Sequence, residues 1–410
     1  MTHDDAFDRT VSAWLHEQAD WTSPGYLDEI LMRTRRARQR PSWSGVDRWL
    51  PTGWAFRLVP AARTGWLLLV LAVVAALATA ALLAGSRAKL PPPFGEAGNG
   101  VVLYGAGNGD LYALDVETGK STPFVAGAPA DETPEFSHDG SKFVFARAAE
   151  AAGRWFVMVA DADGGNVRAL TGPVDPRWNA WSPDDTHVAV ADAAAATLTL
   201  YRLDGRAPLT LDTGGRLATT GAFRPDGREI VFIGSAPKSY GIYVVATSAS
   251  SAPRTLVAPV TAPNDISGPL LSPDGTLLAY TRWEINHSVI HLVDLETGID
   301  RPIRLDPESD GENTAAWSPD GSQLLFHSHR DGSFQLAAAA VAGGQIALLG
   351  PVVPEGTGGA IVVFSPDGRT IIARYDNDGS PWLLDVDGGP ATLLAIDAPA
   401  AITWQRVVRD

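Results

Sequence analysis

One phrase recurs down the C-terminal three-quarters of this chain: an aromatic residue or leucine, then Ser-Pro-Asp-Gly or a close variant, then a β-type apolar run. The copies are Phe136-Ser-His-Asp-Gly140, Trp181-Ser-Pro-Asp-Asp185, Phe223-Arg-Pro-Asp-Gly227, Leu271-Ser-Pro-Asp-Gly275, Trp317-Ser-Pro-Asp-Gly321 and Phe364-Ser-Pro-Asp-Gly368, spaced by 45, 42, 48, 46 and 47 residues. Self-similarity at roughly forty to fifty residues restricts the region to a propeller or a solenoid, in which each unit buries its apolar faces only against its neighbours.

Each phrase predicts a strand that ends on a core-facing side chain, followed by a tight turn in which proline presets φ and Asp and Gly tolerate the remaining positions. Runs such as Lys142-Phe-Val-Phe-Ala, Glu229-Ile-Val-Phe-Ile and Gln323-Leu-Leu-Phe-His supply a second strand. A third often ends in another turn, as in Leu292-Val-Asp-Leu-Glu-Thr-Gly298, and a short fourth completes a four-stranded blade. Six phrases suggest six blades, but the ends change the count. Val101-Val-Leu-Tyr104, Leu111-Tyr-Ala-Leu-Asp115 and Thr122-Pro-Phe-Val125 are three strands with no preceding phrase, and Ile402-Thr-Trp-Gln-Arg-Val407 is a first strand with nothing after it. Pairing 401–407 with 101–126 makes one more blade and closes the ring. The 311 residues of 100–410 allow about 44 per blade for seven and about 52 for six. The expectation is an all-β, seven-bladed β-propeller, with six blades as the fallback.

The repeats resemble those of the TolB-like, WD-repeat-related β-propeller family over about three-quarters of the chain. That resemblance implies the fold and leaves function open, because the fold hosts peptide binding, scaffolding, sugar lyases and the gating domain of prolyl-oligopeptidase-type proteases. A protease of that type needs a following hydrolase domain. Asp410 comes directly after the closing strand and no Gly-x-Ser-x-Gly elbow is present, so this activity is not expected.

Ahead of the repeats, Thr64 to Ser86 carry no charge, and the 21 residues Gly65 to Gly85 rise about 31 Å as a helix, the thickness of a hydrocarbon core. The stretch is apolar all round, which argues against a buried soluble helix. More than sixty residues precede it, which argues against a signal peptide despite the processing-like Ala78-Thr79-Ala80. A single transmembrane helix at 64–86 is predicted. Arg33, Arg35, Arg36, Arg38, Arg40, Arg48, Arg57 and Arg63 precede it and only Arg87 and Lys89 follow closely, so the N-terminus is expected in the cytoplasm and the repeats outside a bacterial plasma membrane. Trp66, with Trp49 and Trp54, suits the interfacial belt.

Residues 1–29 hold seven acids and one base, and residues 30–63 eight bases and one acid. Two short helices are expected in this cytoplasmic segment, the second starting at Ser23-Pro24 with a capping residue and proline at the first helical position. Arg33 to Arg40 read either as a nucleic-acid patch or, more plainly, as juxtamembrane charge that sets topology and touches anionic lipid. The layout resembles that of bacterial membrane-anchored anti-sigma factors over about sixty residues, implying a cytoplasmic regulator as partner for 1–63. Many such factors bind zinc through a His and two Cys; with no cysteine in the chain, His16 has no such partners. Residues 87–99 read as a linker and 100–410 as the propeller.

The whole chain has 32 Lys+Arg against 47 Asp+Glu, of which 21 and 39 fall in residues 91–410. That net −18 repels phosphate backbones and excludes nucleic-acid binding by the propeller. The absence of cysteine removes disulfides, Fe–S clusters, thiolate zinc sites and cysteine nucleophiles. No cofactor is expected. His287 and His291 share strand parity, as do His327 and His329, and some sugar-lyase propellers hold a metal on channel histidines; the plainer reading places His329 at a blade edge before Arg-Asp-Gly. Asp161-Ala-Asp163-Gly and Asp376-Asn-Asp378-Gly resemble the opening of calcium loops but continue as hairpin turns. Asp184, Asp226, Asp274, Asp320 and Asp367 recur with the phrase and read as turn residues. Loops leading into each first strand are expected to open on one face of the channel, bringing Asp131, Glu132, Asp175, Arg177, Arg216, Asn264, Asp265, Glu312, Asn313 and Glu355 to a mainly acidic mouth. Such a mouth suits a cationic peptide, amine or polymer rather than an acidic polysaccharide. The expected function is therefore an envelope propeller binding a protein, peptide or cell-wall ligand, with a metal-dependent lyase or hydrolase and an envelope scaffold as the alternatives.

Overall fold

The computed structural model describes residues 72–73 and 93–409, apart from 238, 249–250, 262–264, 286, 355–360, 376–378 and 397–400. The chain divides into Met1–Arg87 and Ala88–Asp410. Of the first unit only Ala72 and Val73 are described, both helical. The helices predicted in 1–63 and nearly all of the span at 64–86 lie outside the described residues. Among the described residues no helix is long and apolar enough to cross a membrane.

Seven four-stranded antiparallel sheets make up the second unit, so the ring has seven blades and not six. Six of them run in chain order, beginning at Asp131–Phe136, Pro176–Trp181, Leu217–Phe223, Asp265–Leu271, Gly311–Trp317 and Ile361–Phe364. We number these the second to seventh blades. The first blade joins the two ends of the unit: Ile402–Val407 is its first strand, followed by Gly98–Gly105, Leu111–Asp115 and Lys120–Val125. Val102 pairs with Trp404 and Tyr104 with Ile402, while Gly98 pairs with Val407 beyond a bulge. First strands line the axis and form the channel wall, most of them against the first strands of both neighbours.

Why a repeat of this kind closes is visible in its core. Burial is divided among seven clusters, each formed by the facing sides of two adjacent blades. The phrase aromatic points back to the preceding blade: Phe223 joins the cluster between the third and fourth blades, and Trp181 that between the second and third. Alternating apolar residues on the second and third strands fill both faces, as in the fully buried Ile230, Val231, Phe232 and Ile233. Each blade contributes to two of these clusters, so none buries its apolar faces alone.

The phrase itself is a hydrogen-bonded turn. Ser272 Oγ donates to Asp274 Oδ1 at 2.6 Å, Asp274 Oδ1 accepts from Thr276 N at 3.0 Å, and Gly275 N donates to Ser272 O at 2.8 Å. The Ser272 hydroxyl, reinforced by the Thr276 amide against partial burial, holds Asp274 below the usual carboxylate range. Ser182–Asp184, Ser318–Asp320 and Ser365–Asp367 repeat the bond, so these aspartates are turn residues. Glycine is required at its end: φ is +70° at Gly275, and a Cβ there would meet the ring of Pro225 from the preceding phrase. Gly227, Gly321 and Gly368 likewise lie against Pro183, Pro273 and Pro319. The turns therefore interlock proline to glycine around one face of the ring.

Candidate functional site

The opposite face carries the loops that enter the first strands, and there the acidic residues separate into two groups. Asp131 is 1% exposed, and its two carboxylate oxygens accept from Arg147 Nε at 2.7 Å and Nη2 at 2.8 Å. Glu312 is 3% exposed and accepts the backbone N–H groups of Leu305 at 2.9 Å and Asp306 at 2.5 Å. Burial pushes its carboxyl up, against those donors. Beside it Asp306 accepts from Ser328 Oγ at 2.6 Å and from Arg330, which hold it below the ordinary range against its own burial. Asp131 and Glu312 thus brace loops and leave little carboxylate for a ligand.

What remains at the mouth is sparser than the sequence implied. Glu132, Asp175 and Asp265 are half-buried and Arg177 is exposed. The Arg216 guanidinium lies 4.3 Å from the Tyr243 ring centroid and donates to Gly214 O at 3.2 Å. Asn313 Nδ2 sits 2.9 Å from His329 Nε2. Asn264 and Glu355 lie outside the described residues. Asp131 is thus paired with Arg147 and Glu312 is enclosed by backbone amides, while Glu132, Asp175 and Asp265 stand with Arg177 and Arg216 among the described mouth residues.

The four histidines do not converge. His287 is exposed, with Nε2 3.4 Å from Glu284. His291 stands on a third strand with Nδ1 2.9 Å from Asp300 and its ring 5.1 Å from that of Tyr280, in the outer part of its blade. His327 is 7% exposed and lies edge-on to Phe334 at 5.2 Å; burial, aided by the nearby His329, pulls it down to about 4, so it is neutral at physiological pH. Among the described residues no group of three or more metal-ligating side chains is assembled. Asp161 is engaged by Lys142 and by Asn166 Nδ2 at 2.5 Å in a hairpin turn. Asp376, Asn377 and Asp378 are outside the described residues.

Two features that sequence reading passed over lie together between the second and third blades. Glu135 occupies the channel wall, and Asn179 Nδ2 of the next first strand donates to its Oε2 at 2.5 Å. Trp181 Nε1 donates to the Glu135 carbonyl at 3.2 Å and fixes the backbone beneath it. Burial pushes the Glu135 carboxyl up to about 8, with the Asn179 amide opposing, so it is protonated at neutral pH. The signal was available: the residue before the phrase aromatic or leucine is Ala180, Ala222, Leu270, Ala316, Val363 or Thr403 elsewhere, and ionisable only here.

The second feature is on the turn face. The two phrases that depart at the proline or the glycine, with His138 in place of proline and Asp185 in place of glycine, are neighbours and meet. Asp185 Oδ1 accepts from His138 N at 2.9 Å and lies 3.0 Å from His138 Nδ1, while Oδ2 accepts from Asp139 N at 2.9 Å. Phe94, from the segment entering the propeller, lies edge-on to the His138 ring at 5.0 Å. Ala97, 2% exposed, donates to Pro366 O at 2.8 Å. The entry segment is therefore anchored across the turn face.

No known family model matches the chain. Solved structures resemble it as folds. Oligogalacturonate lyase in complex with manganese is 17% identical, covering 69% of this chain and 82% of that one with a TM-score of 0.52. A chain of the mitotic checkpoint complex is 16% identical, covering 73% and 93% with a TM-score of 0.50. TolB from Acinetobacter baumannii is 16% identical, covering 76% and 80% with a TM-score of 0.49.

Proposed function

We propose that this seven-bladed β-propeller is a non-enzymatic binding module of the bacterial envelope. In this reading it is held outside the plasma membrane by the span at 64–86 and recognises a protein, peptide or cell-wall component through the loop face of its channel. Residues 1–63 contact a cytoplasmic regulator and relay occupancy. The observation that carries the binding reading is the commitment of most of the chemistry-bearing side chains expected from the sequence. Asp131 is held by Arg147, Glu312 by backbone amides, His291 by Asp300, and His327 is buried in neutral form. The fold alone is compatible with either class, since a lyase and an assembly subunit both share it.

The test is a crosslinking pulldown of the full chain from its native membrane, beside a chain lacking residues 1–63. The expected outcome is a set of external partners common to both, and a cytoplasmic regulator present only with the intact chain. Recovery of no partner dependent on the propeller would overturn the binding module. Stoichiometric manganese or calcium lost on His287→Ala or His327→Ala would favour a metal-dependent lyase or hydrolase in its place.

A further inference from the structure

The seam between the second and third blades differs from the rest of the ring in residue type. Among neighbouring first strands, Asp131–Phe136 and Pro176–Trp181 approach each other least. Into this seam project the Glu135 carboxyl and the Asn179 amide. A half-buried carboxyl beside a single neutral amide weakens a fold, and apolar or small residues suffice at the equivalent place in six blades. Its Oε2 is oriented by Asn179, whereas no hydrogen bond or ion pair among the described residues engages Oε1. The backbone is pinned by the Trp181 indole, so the group is preorganised with one acceptor open.

We propose that Glu135, positioned by Asn179, is the recognition point for one cationic group, an ammonium or guanidinium, of the ligand that enters the channel. This deepens the binding-module reading and rests on it. Desolvation disfavours a lone carboxylate, but a cation brought into the same low-dielectric wall forms a charge-assisted hydrogen bond with it. The carboxylic acid gives up its proton to solvent as the cation arrives, so binding releases a proton at neutral pH and no net charge is buried. A neutral ligand group gains none of this.

The experiment uses the full chain in detergent micelles, labelled with carbon-13 at glutamate Cδ, titrated separately with n-butylammonium chloride, the neutral isostere n-butanol, and sodium chloride. The Glu135 resonance, assigned with Glu135→Gln, should move saturably with butylammonium only and with release of a proton. Calorimetry should show butylammonium binding weakened about tenfold or more in Glu135→Gln, and unchanged in Glu296→Gln on a remote turn. No saturable shift at Glu135, or an equal response to butanol, overturns the proposal. If the membrane pulldown still recovers external partners under that outcome, the cation site alone has failed; if the wild-type pulldown is empty, the binding-module reading has failed.

Discussion

At the scale of single residues, Glu135 makes a prediction about stability that is independent of any ligand. Its carboxyl stays protonated in the folded chain up to about 8, against an ordinary value of 4.5 when the chain unfolds, and the cause is burial. Between those values the unfolded state binds fewer protons than the folded one, so stability falls as pH rises through this window and levels off on either side. Only Asn179, which is neutral, offsets the burial, so no facing charge complicates the titration. Glu135→Gln keeps the size and the hydrogen bond while removing the ionisation. It should match the wild type in denaturant unfolding at pH 4 and exceed it by at most about 3 kcal/mol near pH 7, with most of the gap developing between pH 5 and 8. Parallel pH curves for the two proteins would show that the carboxyl is not desolvated. A side chain that weakens its own fold is characteristic of a residue retained for binding.

At the scale of the turn, the proline-to-glycine interlock explains why the phrase repeats, and the second and third blades show what happens when it is broken on both sides at once. His138 and Asp185 replace a van der Waals contact by charge-assisted hydrogen bonds, at the expense of a left-handed backbone on a residue with a Cβ, since φ is +53° at Asp185. Asp185→Gly alone leaves the His138 and Asp139 N–H groups without an acceptor. His138→Pro alone removes a donor from a largely buried carboxylate. Each single change should cost about 1–3 kcal/mol in denaturant unfolding, and the double change should recover about 1–2 kcal/mol of the sum because it restores the interlock. Strict additivity would mean the two sites are not coupled. This pair also marks the limit of what sequence could tell. The strands, their turns and the closure by Ile402–Val407 follow from period and phrase, because burial between identical units leaves one solution for each. At the mouth, sequence does not show that Asp131 faces Arg147, or that Glu312 folds back on the amides before it. Compensating departures such as His138 and Asp185 lie 47 residues apart and become a pair only once neighbouring turns are known to touch.

At the scale of the whole molecule, every envelope claim depends on which side of the membrane carries the ring, and the chain supplies a clean means of asking. It has no cysteine, so any single cysteine introduced is the only reactive thiol. Glu117 is exposed in the turn Asp115–Gly119, where its substitution disturbs no core contact. Ser44 lies in the basic segment before the proposed span. In intact spheroplasts a membrane-impermeant maleimide should label Glu117→Cys at once and Ser44→Cys only after lysis. The physical reason is the arginine bias: eight basic residues of 30–63 resist transfer, while the strongly acidic repeat region carries no comparable block of Lys or Arg near the span. The reverse labelling pattern would place the propeller in the cytoplasm. The cation site at Glu135 could still stand in that case, but its ligand would then be an intracellular amine or peptide, and residues 1–63 would have no signal to relay across a membrane.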